Sequence, residues 1–199
     1  MYKKTNKIVL IELILCLALF GGAQTKNSAA DSKPVNLTVD NDRFTDIQKL
    51  LDEQSAHGFQ VSGVSYHSKL RNLYRKGQLE ISLKTGDSSM KYQYRALTTE
   101  LRPSILQQAL NSAGEKGFHL LRETPIPLET GLLRPQDMFV TIMEKSNETP
   151  KVYQYLVMAY RYRSYEQKHI KQALKEGYVK VNDSQFGQTT YLIMEKVTG

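Results

Sequence analysis

Three glycines stand almost evenly along this chain: Gly58, Gly117 and Gly177, 59 and 60 residues apart. An aromatic residue follows each (Phe59, Phe118, Tyr178), and a hydroxyl residue stands thirteen positions before each (Thr45, Ser104, Ser164). A fixed period constrains a fold more than local propensity does, because each copy must bury its apolar face against its neighbours. A single unit of this length is marginal alone, whereas three together can share a sizeable core.

The glycines read as helix ends, since glycine adopts the left-handed conformation past a last helical turn without steric cost. The hydroxyl residues read as helix starts. Thr45 with Gln48, Ser104 with Gln107 and Ser164 with Gln167 match the capping box, in which the hydroxyl and the amide each satisfy a free backbone N–H. The spacing predicts helices over Thr45–His57, Ser104–Lys116 and Ser164–Glu176. Apolar residues recur seven before each glycine, at Leu51, Leu110 and Ile170.

Aromatic and β-branched runs flank these helices and read as strands. Before the helices lie Val35–Val39, Tyr92-Gln93-Tyr94 and Tyr153-Gln154-Tyr155. After the glycines come Phe59–Ser65, Phe118–Glu123 and Tyr178–Asn182, then Leu79–Leu83, Phe139–Lys145 and Thr190–Lys196. The expected fold is α+β: three tandem βαββ repeats, each a small, mostly antiparallel sheet with one helix on a face. The units span 35–85, 90–145 and 151–197. Leu79, Ile81 and Leu83 alternate with Glu80, Ser82 and Lys84, so that strand has one wet face. Phe139-Val140-Thr141-Ile142-Met143 has almost no polar face, which places the second unit inside, between its neighbours.

Residues 1–23 read as a secretory signal peptide: Lys3, Lys4 and Lys7, an apolar stretch Ile8–Phe20, then Gly21-Gly22-Ala23. The apolar stretch is shorter than the roughly 20 residues a spanning helix needs and contains Glu12. Cleavage near Ala23 is the expectation, with an uncleaved anchor as the alternative. Residues 24–34 read as a disordered leader. Without residues 1–23 the formal charge falls from +7 to +5 and Cys16 is lost. That excludes disulfides, cysteine-ligated metals and a catalytic thiol from the mature chain. The expected location is exported, periplasmic or secreted.

The second unit carries the clearest family pattern: Tyr92-Gln93-Tyr94, then Ala109-Leu110-Asn111-Ser112-Ala113-Gly114-Glu115-Lys116-Gly117-Phe118, then Phe139 to Lys145. It resembles the small bacterial domain of unknown function 4177. The third unit departs from the pattern at Leu174, which stands where Gly114 does, and the first lacks the Tyr-x-Tyr strand. The resemblance implies the fold and carries no activity, cofactor or site residue.

No catalytic spelling is present: no Gly-x-Ser-x-Gly elbow, no phosphate-binding glycine loop and no His-Glu-x-x-His. His57, His67, His119 and His169 have no local metal spacing, and no histidine recurs at one position of all three units. Asp40-Asn41-Asp42 begins like a calcium loop but continues to Phe44 and Thr45 where oxygen and glycine are needed. Neither a cofactor nor a metal is expected. Asn36, Asn147 and Asn182 lie in Asn-x-Ser/Thr sequons, which matter only in a host that glycosylates them.

Two basic stretches remain. Lys69, Arg71, Arg75 and Lys76, with Tyr74 among them, lie between the second and third strands of unit one, where the sister segments are not basic. Arg161 and Arg163 alternate with Tyr160 and Tyr162. Export argues against nucleic acid and for an anionic lipid headgroup or glycan, or a protein partner. The leading expectation is a non-enzymatic binding or scaffolding module at the cell envelope, and these seven residues are its candidate ligand-binding set. The alternative is an enzyme with dispersed carboxylates and histidines in a cleft between units, recognisable by a deep pocket between units that holds two carboxylates, or a histidine and a carboxylate.

Overall fold

The computed structural model describes residues 35–71, 74–128, 138–148, 151–161 and 163–199. The leader and the segment 24–34 lie outside the described residues. The chain runs through β1 (Val35–Asp40), a 3-10 helix (Asn41–Asp46), α1 (Ile47–Ala56), β2 (Phe59–Arg71) and β3 (Tyr74–Thr85). Then come β4 (Tyr92–Glu100), α2 (Pro103–Gly114), β5 (His119–Leu120), β6 (Ile126–Leu128) and β7 (Met138–Ser146). The last group is β8 (Tyr153–Tyr160), α3 (Arg163–Lys175), β9 (Val179–Phe186) and β10 (Thr189–Val197). The fold is therefore α+β, with three antiparallel sheets that fit three units. Their strand orders are β1-β3-β2, β4-β7-β5 with β6 also on β7, and β8-β10-β9.

Sheets and helices alternate in a stack. One core joins Ile47 and Leu51 of α1 to Leu79, Ile81 and Leu83 of the first sheet and to Tyr94, Val140 and Ile142 of the second. The next joins Leu106, Leu110 and Ala113 of α2 to Phe139 and Met143 of the second sheet and to Tyr155, Val157, Tyr191 and Ile193 of the third. The last sets Ala173 of α3 against Leu192 and Met194. Thus α1 and α2 each lie between two sheets, while α3 covers one. Phe139 to Glu144 are buried without interruption because β7 is covered on both faces. On β3 burial alternates, with Gln78 and Lys84 exposed on the outer face, as the pattern of the sequence predicts.

All three glycines take positive φ, 80°, 86° and 89°, just past the helices they close. The helix starts differ from expectation. The first turn around Thr45 is 3-10, α1 begins at Ile47, and α2 begins at Pro103 with Arg102 before it; neither has a side-chain cap. The capping-box reading of Gln48 and Gln107 is therefore wrong. Pro103 takes the first helical position, where its missing N–H is one of the free ones, so Ser104 falls inside α2 rather than at its cap. The side chain of Ser164 lies outside the described residues.

The strand after Gly117 is also shorter than expected, stopping at Leu120. Pro125 and Pro127 have no N–H to give a ladder. Between β5 and β6 the Thr124 hydroxyl takes over: it donates to the Ile142 carbonyl at 3.0 Å and accepts from the Ile142 N–H at 3.2 Å. In the first sheet the opposite happens. β2 and β3 run on through the segment read as a loop, pairing Lys69 with Lys76, Leu70 with Arg75 and Arg71 with Tyr74. β1 pairs with β3 only from Gln78 to Leu83, so beyond that point the hairpin is a two-stranded ribbon.

Candidate functional site

The glutamines that do not cap helices clamp strands. Gln48 of α1 donates to the Tyr94 carbonyl at 2.9 Å and accepts from the Ala96 N–H at 2.9 Å. Gln107 of α2 accepts from the Val157 N–H at 2.9 Å, and Asn111 accepts from the Tyr155 N–H at 2.6 Å. β4 and β8 are edge strands, whose free backbone groups would otherwise be buried unpaired or open to other chains. Each preceding helix satisfies that edge. A Cβ at Gly114 would run into the Tyr153 carbonyl, so α2 lies against β8 at glycine distance.

A second lock recurs at both joints. The Tyr94 hydroxyl accepts the N–H of Val61 in the first sheet at 2.9 Å and donates to Glu144 at 2.7 Å. The Tyr155 hydroxyl accepts the N–H of Leu120 in the second sheet at 2.9 Å and donates to Glu195 at 2.7 Å. Tyrosine and glutamate are cross-strand partners in each case, Tyr94 with Glu144 and Tyr155 with Glu195. Burial and the adjacent carboxylate push both phenols well above the ordinary tyrosine range. They are held as neutral donors, not as acids or nucleophiles.

Around Glu144 the lock grows into a polar cluster. Its side chain is 7% exposed, with His119 at 3.6 Å on one oxygen and Gln60 donating at 3.4 Å to the same oxygen. Burial raises the Glu144 carboxyl, but the hydrogen bonds and charge of its neighbours outweigh it, and the net shift is downward. His119 is shifted upward, first by its bond to Glu144, against the opposing effect of burial. At the next joint Val179 replaces His119 as the cross-strand partner of Glu195. His119 also stands 5.9 Å from the Tyr153 ring and lines a groove of about 360 Å³ with Lys145, Lys151 and Glu195.

The candidate binding residues divide. Lys69, Arg71, Tyr74, Arg75 and Lys76 sit within the last three paired rungs of the first-sheet ribbon; their side chains lie outside the described residues, as does that of Arg163. Arg161 is exposed and lines a polar groove at the end of the third sheet with Lys180, Asp183 and Gln185. The backbone does not bring the ribbon and Arg161 into one element: the first belongs to the first sheet and the second follows β8 of the third. Of the other histidines, His57 closes α1, His67 pairs with Glu80 at 3.5 Å on the outer face, and His169 is exposed. No group of three or more metal-ligating side chains occurs among the described residues.

Sequence reasoning missed the Tyr–Glu locks, although their signal was in the duplicated words Tyr-Gln-Tyr and Ile-Met-Glu-Lys at 92–94, 153–155, 142–145 and 193–196. A carboxylate repeated inside an apolar strand marks a buried partner. No family model, no curated protein and no solved structure matches this chain. No helix among the described residues is long and apolar enough to cross a membrane.

Proposed function

We propose that this chain is a non-enzymatic binding or scaffolding module of three tandem βαββ units that is exported and works at the cell envelope. Its partner on this reading is an anionic lipid headgroup or glycan, engaged by the basic ribbon of the first unit. One observation supports it above others. The Tyr94 and Tyr155 hydroxyls and the Glu144 carboxylate are occupied in holding layers together, while Lys69, Arg71, Arg75 and Lys76 are gathered where the ribbon has left its third strand. Basic charge on an exported scaffold favours acidic surfaces, and such binding is screened over about 10 Å at 0.1 M salt.

A second reading, an enzyme at the joint between the second and third sheets, draws on the groove that holds His119 and Glu195. It is weaker because two of the groups it would use already serve the joints: His119 is engaged with Glu144, and Glu195 receives Tyr155, which leaves Glu148 as the groove's other carboxylate.

The test is co-sedimentation with anionic and neutral liposomes, and with cell-wall polymer, at two salt concentrations. Anionic binding that weakens with salt and is lost when the four ribbon residues become Ser supports the reading. Equal binding to neutral surfaces, or binding unchanged by the four substitutions, overturns it. Intact-mass measurement from the native host checks removal of about 23 residues.

A further inference from the structure

The end of the stack differs from its middle in one respect that creates space. α2 is pressed between two sheets, whereas among the described residues α3 has a sheet on one side only. Between α3 and β8 lies a groove of about 500 Å³. Leu156, Met158, Tyr160 and Ala173 give it an apolar floor, and His169, Gln172 and Glu176 border it from the helix. A second groove, polar and lined by Arg161, Lys180, Asp183, Gln185 and Thr190, adjoins it at Tyr160, which lines both. Lys180 and Asp183 pair with each other there, so the net positive charge of this groove is that of Arg161.

We propose that the paired grooves hold one anionic single-chain amphiphile, with its acyl chain along Leu156 and Met158 and its headgroup beside Arg161. The charge gradient fixes the orientation. Arg161 stands at the Tyr160 end, just before α3 begins, and Glu176 stands just past its last residue at the opposite end. An anion is attracted to the first end and repelled from the second. An aliphatic chain gains from leaving water for the apolar floor, and a pocket of this kind with few polar groups at one end is how proteins hold such molecules. The inference rests on the anionic-envelope reading, but it names a different site and a single molecule rather than a surface.

The experiment uses the full chain with methionine methyl groups labelled with carbon-13, titrated with sodium dodecanoate below its micelle concentration. The Met158 signal, assigned by Met158→Leu, should shift and saturate while that of buried Met143 stays. Gln172→Trp, a change at an exposed position, should fill the groove and abolish the shift. Arg161→Glu should weaken dodecanoate by about fivefold or more, the scale of losing one charge pair near a surface. Dodecylammonium should bind wild type less well than dodecanoate. No saturating shift at Met158, an unchanged titration in Gln172→Trp, or equal binding of the two detergents overturns the proposal. Liposome binding in the same preparations separates the two readings. Vesicle binding without a Met158 shift sinks the groove alone. A Met158 shift without ribbon-dependent vesicle binding sinks the ribbon and leaves the groove.

Discussion

The two joints of the stack use the same lock and close it differently. At both, a tyrosine hydroxyl takes an N–H from the preceding sheet and gives its proton to a cross-strand glutamate. At the first joint the helix position three before the glycine is Ser55, and one amide, Gln48, clamps β4. At the second it is Gly114, and two amides, Gln107 and Asn111, clamp β8. The first joint instead invests in polarity, with Gln60 and His119 on Glu144. One hydrogen-bonding scheme thus tolerates two packings: a glycine-tight joint and a looser joint stiffened by a buried charge. At the third helix the position is Leu174, 51% exposed, with Lys171 where α2 has Asn111. The outer face of the first sheet is polar as well. Both ends are built against a further layer, as the terminal units of stacked proteins are.

The sharpest way to break the comparison is to give the tight joint the residue of the free end. Gly114→Leu drives a side chain into the Tyr153 carbonyl and the Tyr155 ring. It should cost about 3 kcal/mol or more, the upper range for overpacking, because backbone cannot turn away as a side chain can. Ser55→Leu at the looser joint should cost less than half as much. Urea midpoints of the two variants decide it, and equal losses would mean that the joints are not differently packed.

Next come the locks themselves. Tyr94→Phe leaves the Val61 N–H and the buried Glu144 each short of a partner; Tyr155→Phe does the same to Leu120 and to Glu195, which is only half-buried. An unpaired buried group costs about 1–3 kcal/mol and more when charged, so Tyr94→Phe should fall at the top of that range and Tyr155→Phe at the bottom. The reverse order, measured by the same unfolding curves, would show that burial of the carboxylate does not set the strength of the lock.

Layer order and strand alternation were legible because they depend on side-chain period alone. Phe139 to Met143 reads as buried on both faces, and Leu79, Ile81 and Leu83 as one-sided, without any partner being named. The glycine helix ends were legible for the same local reason. The glutamines were misread because a capping box and an edge clamp share a spelling: a hydroxyl, two residues, an amide. What separates them is whether a strand lies within reach of the amide, and that belongs to the packing of the next layer. Likewise the segment 68–77 reads as a loop from its charges, yet its backbone continues the ladder, since β3 already fixes the register for β2. Of the candidate site, charge was legible at Arg161. The apolar floor beside it was not, because it exists only where α3 lacks a covering sheet.

The smallest expected effect tests whether charge stiffens the first joint. His119 has a folded-state pKa above its usual 6.5, owing first to its bond with Glu144. Its contribution is therefore complete below the unfolded value and fades as pH rises through the folded one. Glu144 is shifted the other way and stays ionised through this window, so the loss is that of the imidazolium alone. Wild type should lose stability between pH 6 and a pH near 9 relative to His119→Gln, which places at 119 the amide found at Gln60. The ring is 36% exposed, so solvent screening keeps the difference below about 1 kcal/mol. Taking the wild-type minus variant difference cancels every group common to both chains. Urea midpoints at three pH values, repeated at high salt, give the curve. A difference that grows with pH, or one that does not change at all, would remove His119 from the joint and leave Gln60 and Tyr94 as the partners that hold Glu144.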